Sequence, residues 1–314
     1  MKSNLNSDTL KLLYSINRYM RNHKYVRVFV NENLGNQKNI TLNREKAHYL
    51  VSVMRYKTGD RLYIFDGESG EYEAEIFNAS KNDCSLNILS KVREFHCSPD
   101  VMLCYAPVKN VKSEYIIQKA TELGVAVVQP MITQNTIKTG ANTERYKLIA
   151  EEAAEQCERL DVPQINEIIE LKNLLPQLAE YNILFCDESG QGVPISSLRA
   201  NAKQSILASD TQSPMDCFVA DASRNDETIP PLPHTGEGWG EGKNSTLTTQ
   251  KWAILIGPEG GFSKTEIEQI YKLKNVFGVG LGPRILRADT AIITALALWQ
   301  NYFGDFNISP EFRG

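Results

Sequence analysis

The sequence predicts an α/β protein in two parts: a parallel sheet with crossover helices in the longer C-terminal part, preceded by a small β-barrel or curled sheet. Three patterns carry that expectation. Near the C-terminus, Trp252-Ala253-Ile254-Leu255-Ile256 and Val276-Phe277-Gly278-Val279 are apolar runs of buried-strand type, each emptying into a glycine-bearing loop and then a helix. Around residue 100 a strand, a helix and a strand follow one another, the order of a parallel βαβ unit. Between residues 26 and 92, by contrast, strands recur at the short spacing of a small barrel.

The 314 residues leave room for two domains, and 42% apolar with 9% aromatic residues suffices to bury a core. A net charge of −4 does not suggest a nucleic-acid partner, but it averages over faces, so local balance decides. Six cysteines, at 84, 97, 104, 157, 186 and 217, form no C-x-x-C pair, so reduced buried thiols and no metal site are expected. No signal peptide or apolar run of spanning length is visible, which predicts a cytoplasmic chain without membrane contact.

Residues 1–24 are polar and read as an extension, with one short helix around residues 10–20. Strands are expected at 27–30, 61–65, 72–77 and 85–92, with a helix over 44–56 carrying Ala47, Leu50, Val51 and Met54 on one face. Residues 24–61 hold eight Lys or Arg against three Asp or Glu, a local +5 in an acidic chain. That bias favours phosphate contact through counterion release, the competing reading being a solvated basic face. Arg27, Lys57, and above all His48 and Arg55, are the candidate phosphate or base contacts there, although a lone helical histidine is equally a structural residue.

The second domain opens with a strand over 101–106 and a basic loop, Pro107 to Lys112, in which Lys109 and Lys112 are further candidate phosphate contacts. Ser113 then starts a helix with Ile116, Ile117, Ala120 and Leu123 inward and Gly124 as its stop, before a strand over 125–129. Residues 143–160 carry a helical stripe of Tyr146, Ile149, Ala150, Ala153, Ala154, Cys157 and Leu160. Their polar face of Glu151, Glu152, Glu155, Gln156 and Arg159 is by default a solvated surface. A strand over 181–186 ends in Asp187-Glu188-Ser189-Gly190, either an ordinary turn or a ligand-facing strand end. Residues 229–242, IPPLPHTGEGWGEG, hold three prolines and four glycines, so 209–250 reads as a disordered insertion on a solvent-facing loop. We place the domains at 25–96 and 97–308.

The first C-terminal loop reads Gly257-Pro258-Glu259-Gly260-Gly261-Phe262, and Ser263 with Glu266 forms an S-x-x-E capping box behind it. The second reads Gly280-Leu281-Gly282-Pro283-Arg284-Ile285-Leu286-Arg287, and the last helix starts near Asp289 or Thr290. Glycines there let a ligand reach backbone groups that a Cβ would shield, and two such loops side by side make a pocket walled by peptide groups. Neither loop is G-x-G-x-x-G or a P-loop, which removes the usual support for nicotinamide and nucleotide readings.

The run IGPEGGFSKTE at 256–266, with LGPRILRADTA at 281–291, closely resembles the SPOUT class of methyltransferases, and within it the ribosomal RNA small subunit methyltransferase E family. The run IQKATELGV at 117–125 and the segment His48-Tyr49-Leu50 to Arg55 match the same family. The resemblance implies a C-terminal SPOUT domain with a deep trefoil knot and an N-terminal PUA-like RNA-binding domain. It also implies a homodimer with S-adenosylmethionine held in the knot, and N3 of a uridine in 16S rRNA of the small ribosomal subunit as acceptor. On this reading the first loop's cofactor contacts are Ile256, Gly257, Pro258, Gly260 and Gly261. The second loop would supply Leu281, Gly282, Ile285 and Leu286, followed by Ala288, Thr290 and Ala291, with Glu188 at the intervening strand end. Lys119 and Arg159 join the candidate RNA contacts because they lie in or beside family segments, although Glu158 stands where many relatives have glycine.

Uracil N3 has no available lone pair until its imide proton leaves, so a base, or a cation stabilising charge on O2 and O4, would speed transfer. Arg287 is the expected cation and Glu259 the expected carboxylate; their competing roles are a clamp on Asp289 or a helix end, and loop geometry. Two other functions stay open on sequence alone: a non-catalytic rRNA-binding or assembly factor, and a SPOUT methyltransferase acting on tRNA or 23S rRNA.

Overall fold

A computed structural model describes residues 25–80, 83–108, 113–136, 142–187, 192–195, 197 and 251–308. The extension 1–24, Lys109, Lys112, Glu188 and the expected insertion at 209–250 lie outside the described residues.

The first part is a five-stranded curled sheet. Its strands are β1 (Arg27–Phe29), β2 (Asn39–Leu42), β3 (Arg61–Phe65), β4 (Glu71–Ala79) and β5 (Cys84–Arg93), ordered β1-β3-β4-β5-β2. β1 pairs parallel to β3 and the other pairings are antiparallel, with bulges between β4 and β5 that bend the sheet. Val28 of one edge and Ile40 and Leu42 of the other meet in a single core with Leu62, Ile64, Ala74 and Leu86. The sheet therefore closes on side chains across the two edge strands.

The helix expected over 44–56 is two things. Asn43 caps α1 (Arg44–His48) through Lys46 N–H, and the chain then widens into a π-helical turn, Tyr49–Val53. The wider turn rotates Met54 out of the stripe, leaving it 40% exposed, while Ala47 and Leu50 stay buried.

The second part is a parallel sheet ordered β11-β13-β10-β12-β6-β7-β8, with β9 paired to β7. The strands are β6 (Val101–Tyr105), β7 (Val127–Ile132), β8 (Gln164–Ile165), β9 (Ile169–Glu170), β10 (Asn182–Cys186), β11 (Val193–Pro194), β12 (Trp252–Ile256) and β13 (Val276–Gly280). The helices are α2 (Ser113–Glu122), α3 (Thr143–Cys157), α4 (Leu171–Leu174), α5 (Lys264–Ile270) and α6 (Ala288–Phe303). Alternation along β12 shows why both faces are covered. Trp252, Ile254 and Ile256 pack with α2, α3 and α6, whereas Ala253 and Leu255 pack with α4 and α5. β12 lies between β6 and β10, and β13 lies beyond β10, an order consistent with the knot that the resemblance implies.

Arg27 joins the two parts. Its guanidinium donates to the carbonyls of Ala154 (2.8 Å), Glu155 (3.0 Å) and Arg159 (3.0 Å) around the end of α3, and pairs with buried Glu71 at 2.5 Å. Positive charge at a helix C-terminus is favourable, and here it also fixes one domain on the other. Beside it, Glu158 ends α3 at φ +65 and gives its carbonyl to Arg93 at 2.9 Å.

Candidate active site

Parallel strands deliver their C-terminal loops to one edge, and the two glycine loops leave from β12 and β13 at that edge. They are not on neighbouring strands as expected: β10 pairs with both, Leu255 and Gly278 each lying opposite Phe185. The loops are thus roughly 10 Å apart, two strand spacings, with the end of β10 as the floor between them. Asp187, buried there, accepts from the Tyr271 hydroxyl at 3.3 Å. Burial, then the Asp187 charge and hydrogen bond, raises the Tyr271 pKa.

The first loop is a tight turn closed by Gly261 N–H to the Pro258 carbonyl at 2.8 Å, with Gly261 at φ +65. Ser263 then starts α5 with a reciprocal capping box to Glu266. Two of its glycines answer to protein packing. A Cβ at Gly257 would stand 2.8 Å from the Phe262 ring, and one at Gly260 would stand 3.2 Å from Asn135. At these two positions packing within the protein by itself asks for glycine. In the second loop Gly282, at φ +107, has nothing within 4 Å of its Cβ direction. There Ile285 is 99% exposed and Leu281 and Leu286 are half-buried, an apolar surface uncommon on a loop with no cover.

Arg287 is the N-cap of α6, in extended conformation and exposed, and its side chain has no partner among the described residues. The expected alternative, a clamp on Asp289, is not formed, because the Asp289 carboxylate accepts from Thr290 N–H at 2.8 Å. Glu259 is exposed at the tip of the first turn and likewise makes no side-chain bond among the described residues. Ile256, Pro258, Ala288 and Ala291 are buried beneath the loops, and Thr290 is exposed on the first turn of α6.

The candidate RNA contacts divide. Arg27 is removed from the phosphate surface by its role at α3, and Arg159 likewise. Arg159 donates to the carbonyls of Thr121 and Val125 and pairs with Asp161 at 2.9 Å, its side chain 8% exposed. Lys119 pairs with Glu122 at 2.7 Å within α2. His48, Arg55 and Lys57 remain exposed together around the π-helical turn. Sequence reasoning missed their neighbours Tyr49, Val53 and Met54, 40%, 58% and 40% exposed, which supply apolar surface beside the charges. A cavity of about 830 Å³ opens between α1, α2 and α3, but Glu45, Glu114, Glu151, Glu152 and Glu155 line it against Lys46 and Arg145. That sign repels phosphate, so the cavity is no continuation of the basic surface. Among the described residues, no group of three or more His, Cys, Asp or Glu could hold a metal ion, and no helix is long and apolar enough to cross a membrane.

Comparison with known proteins adds to this geometry. The model of an RNA methyltransferase domain matches residues 96–210 and 218–300, and that of an RNA methyltransferase PUA domain matches 42–89. The family match thus resumes at 218, inside the stretch read as an insertion. Ribosomal RNA small subunit methyltransferase E of Rickettsia conorii is 29% identical over 275 residues, covering 87% of this chain and 94% of the relative. Its namesake from Bacillus subtilis is 29% identical over 266 residues, covering 82% and 88%. Among solved structures, a ribosomal RNA small subunit methyltransferase E of Neisseria gonorrhoeae, bound to S-adenosyl methionine, aligns with TM-score 0.67 at 22% identity over 90% of this chain and 99% of that one.

Proposed function

The chain belongs to the RNA methyltransferase family, among the ribosomal RNA small subunit methyltransferases E, and from that premise we propose that it methylates N3 of a uridine in 16S rRNA as a homodimer on the small ribosomal subunit. The observation that carries this reading is the pair of glycine loops facing each other across the end of β10, with Arg287, whose side chain has no partner among the described residues, where the second loop meets α6.

The loops fit S-adenosylmethionine, which supplies a methyl group already activated on a sulfonium. Gly282 presents bare backbone where a Cβ would intrude, and Ile285, Leu281 and Leu286 offer apolar cover for the uncharged parts of such a ligand. Pro258, Gly260, Gly261 and the start of α6 would complete the cradle.

The protein's own task is then to align the acceptor and favour loss of its imide proton. Arg287 stands at the positive end of a sixteen-residue helix, so guanidinium and helix terminus act together on negative charge developing at O2 or O4. Glu259, on the opposite loop, would accept the proton from N3. His48, Arg55 and Lys57 would hold flanking RNA, the target being single-stranded or flipped outward.

Transfer of labelled methyl from S-adenosylmethionine to small subunits, free 16S rRNA, 23S rRNA and tRNA tests this directly. Label on one uridine of 16S rRNA is expected. Label on tRNA or 23S rRNA alone would move the chain to another substrate class, and cofactor binding without transfer would make it a binding factor.

A further inference from the structure

The first glycine loop is held from behind by a loop on another strand. Because β6 lies between β12 and β7, the residues after β7 reach the glycine loop from the side opposite β10 and β13. Asn135 Nδ2 donates to the carbonyl of Gly260 at 2.9 Å and of Gly261 at 3.1 Å. Gln134 N–H donates to Glu266 Oε1 at 2.7 Å, while Oε2 of the same carboxylate accepts from Ser263 N–H at 2.9 Å. The Asn135 loop is itself fixed: Thr133 N–H and hydroxyl both meet the Thr136 hydroxyl, at 2.9 and 2.8 Å.

A trans peptide carries its C=O and N–H in opposite directions. Fixing the Gly261 carbonyl on Asn135 therefore turns Phe262 N–H away from β7, to the side where β10 and β13 end. That N–H makes no hydrogen bond among the described residues. Fixing the Gly260 carbonyl sets the plane that carries Gly261 N–H, whose bond to the Pro258 carbonyl at 2.8 Å closes the turn. A single amide side chain thus sets both peptide planes of the turn, and its two bonds are the removable part of the clamp, since the Gln134 donor is main chain.

We propose that Asn135 is a positioning residue for cofactor binding: it holds the Gly260–Gly261–Phe262 backbone in the orientation that presents the Phe262 N–H to the ligand between the loops. This rests on the reading of that pocket as the S-adenosylmethionine site. Asn135 is exposed and outside the core, so its replacement leaves folding intact.

Calorimetric titration of S-adenosylmethionine into the full chain, its Asn135→Ala and its Asn135→Asp variants, beside thermal melts without ligand, is the test. Loss of the two bonds should weaken affinity about tenfold in Asn135→Ala. Asn135→Asp should be weaker still, because an ionised carboxylate has the same shape but only accepts, and would face two carbonyls. Melting temperatures should not move, and in transfer assays KM for the donor should rise while kcat is retained. Affinities within twofold of the parent in both variants would overturn the proposal, as would a drop in melting temperature that accounts for the weakening. Absence of binding by the parent chain is a different failure, which removes the cofactor reading and this inference together.

Discussion

Glu158 holds φ +65, a conformation that costs a residue with a Cβ roughly 1–2 kcal/mol and that glycine adopts freely. Glycine gives part of that back as extra freedom in the unfolded chain, so Glu158→Gly should gain about 0.5–1 kcal/mol and raise the melting midpoint by about 2 °C. A midpoint unchanged or lowered would show that the Glu158 side chain matters more than its backbone. Here the sequence was informative through the family's glycine at that position. It was misleading at Arg27, where charge density pointed outward and the fold turned the side chain inward. Replacing Arg27 by Ala removes the 2.5 Å partner of the buried Glu71 carboxylate, which Arg93 meets at 3.8 Å, and should cost about 3 kcal/mol in denaturant unfolding, with little effect on the salt dependence of RNA binding. Arg55→Ala or Lys57→Ala should do the reverse, each reducing the slope of log K against log salt by about 0.7–1 with stability unchanged. A basic residue in a sequence carries no label for direction; three carbonyls converging at the end of a distant helix decide it.

Among elements, those with a long repeating pattern were legible and those made by pairing were not. The stripes of α2, α3 and α6 and the apolar runs of β6, β10 and β12 all appear where periodicity put them. β2, β8, β9, β11 and α4 run for two to four residues each, too short to show a period; they exist because a neighbour supplies hydrogen bonds or a core. α5 ends at Ile270, where Leu273 N–H bonds back to the Ile270 carbonyl in a turn. The attachment of α6 was likewise invisible. Gln300, fully buried, donates to the Leu123 carbonyl at 2.7 Å and accepts from Asp305 N–H at 3.0 Å, bracing α6 against the end of α2. A Cβ on Gly124 would meet that amide at 2.7 Å. Gln300→Leu leaves two buried backbone groups unpaired and should cost about 2–4 kcal/mol by urea unfolding; a cost near zero would mean that water replaces the amide.

At the scale of the molecule, composition and spacing gave two parts and a parallel sheet, while strand order came only from the structure. The insertion of β10 between β12 and β13 changes the pocket from two adjoining loops into two walls with a floor. The link between the parts is also electrostatic. Asp161 accepts from Ser98 N–H and hydroxyl and pairs with Arg159, just where one domain passes into the next. Burial pushes its pKa up, but the Arg159 charge and these hydrogen bonds outweigh it and hold the carboxyl below its usual range. The folded chain thus binds this proton less readily than the unfolded chain, so the stabilisation is complete above about pH 4 and is lost as pH falls toward the lowered value. Unfolding midpoints followed downward from neutral pH should fall less steeply in Asp161→Asn than in the parent, and parallel curves would remove Asp161 from the linkage. The central claim, that the facing loops transfer a methyl group to one uridine of 16S rRNA, is tested most directly by mass-spectrometric mapping of 16S rRNA from cells lacking this chain. We predict one unmethylated uridine, restored by the intact chain and not by Arg287→Ala, whereas an unchanged methylation map would contradict the account.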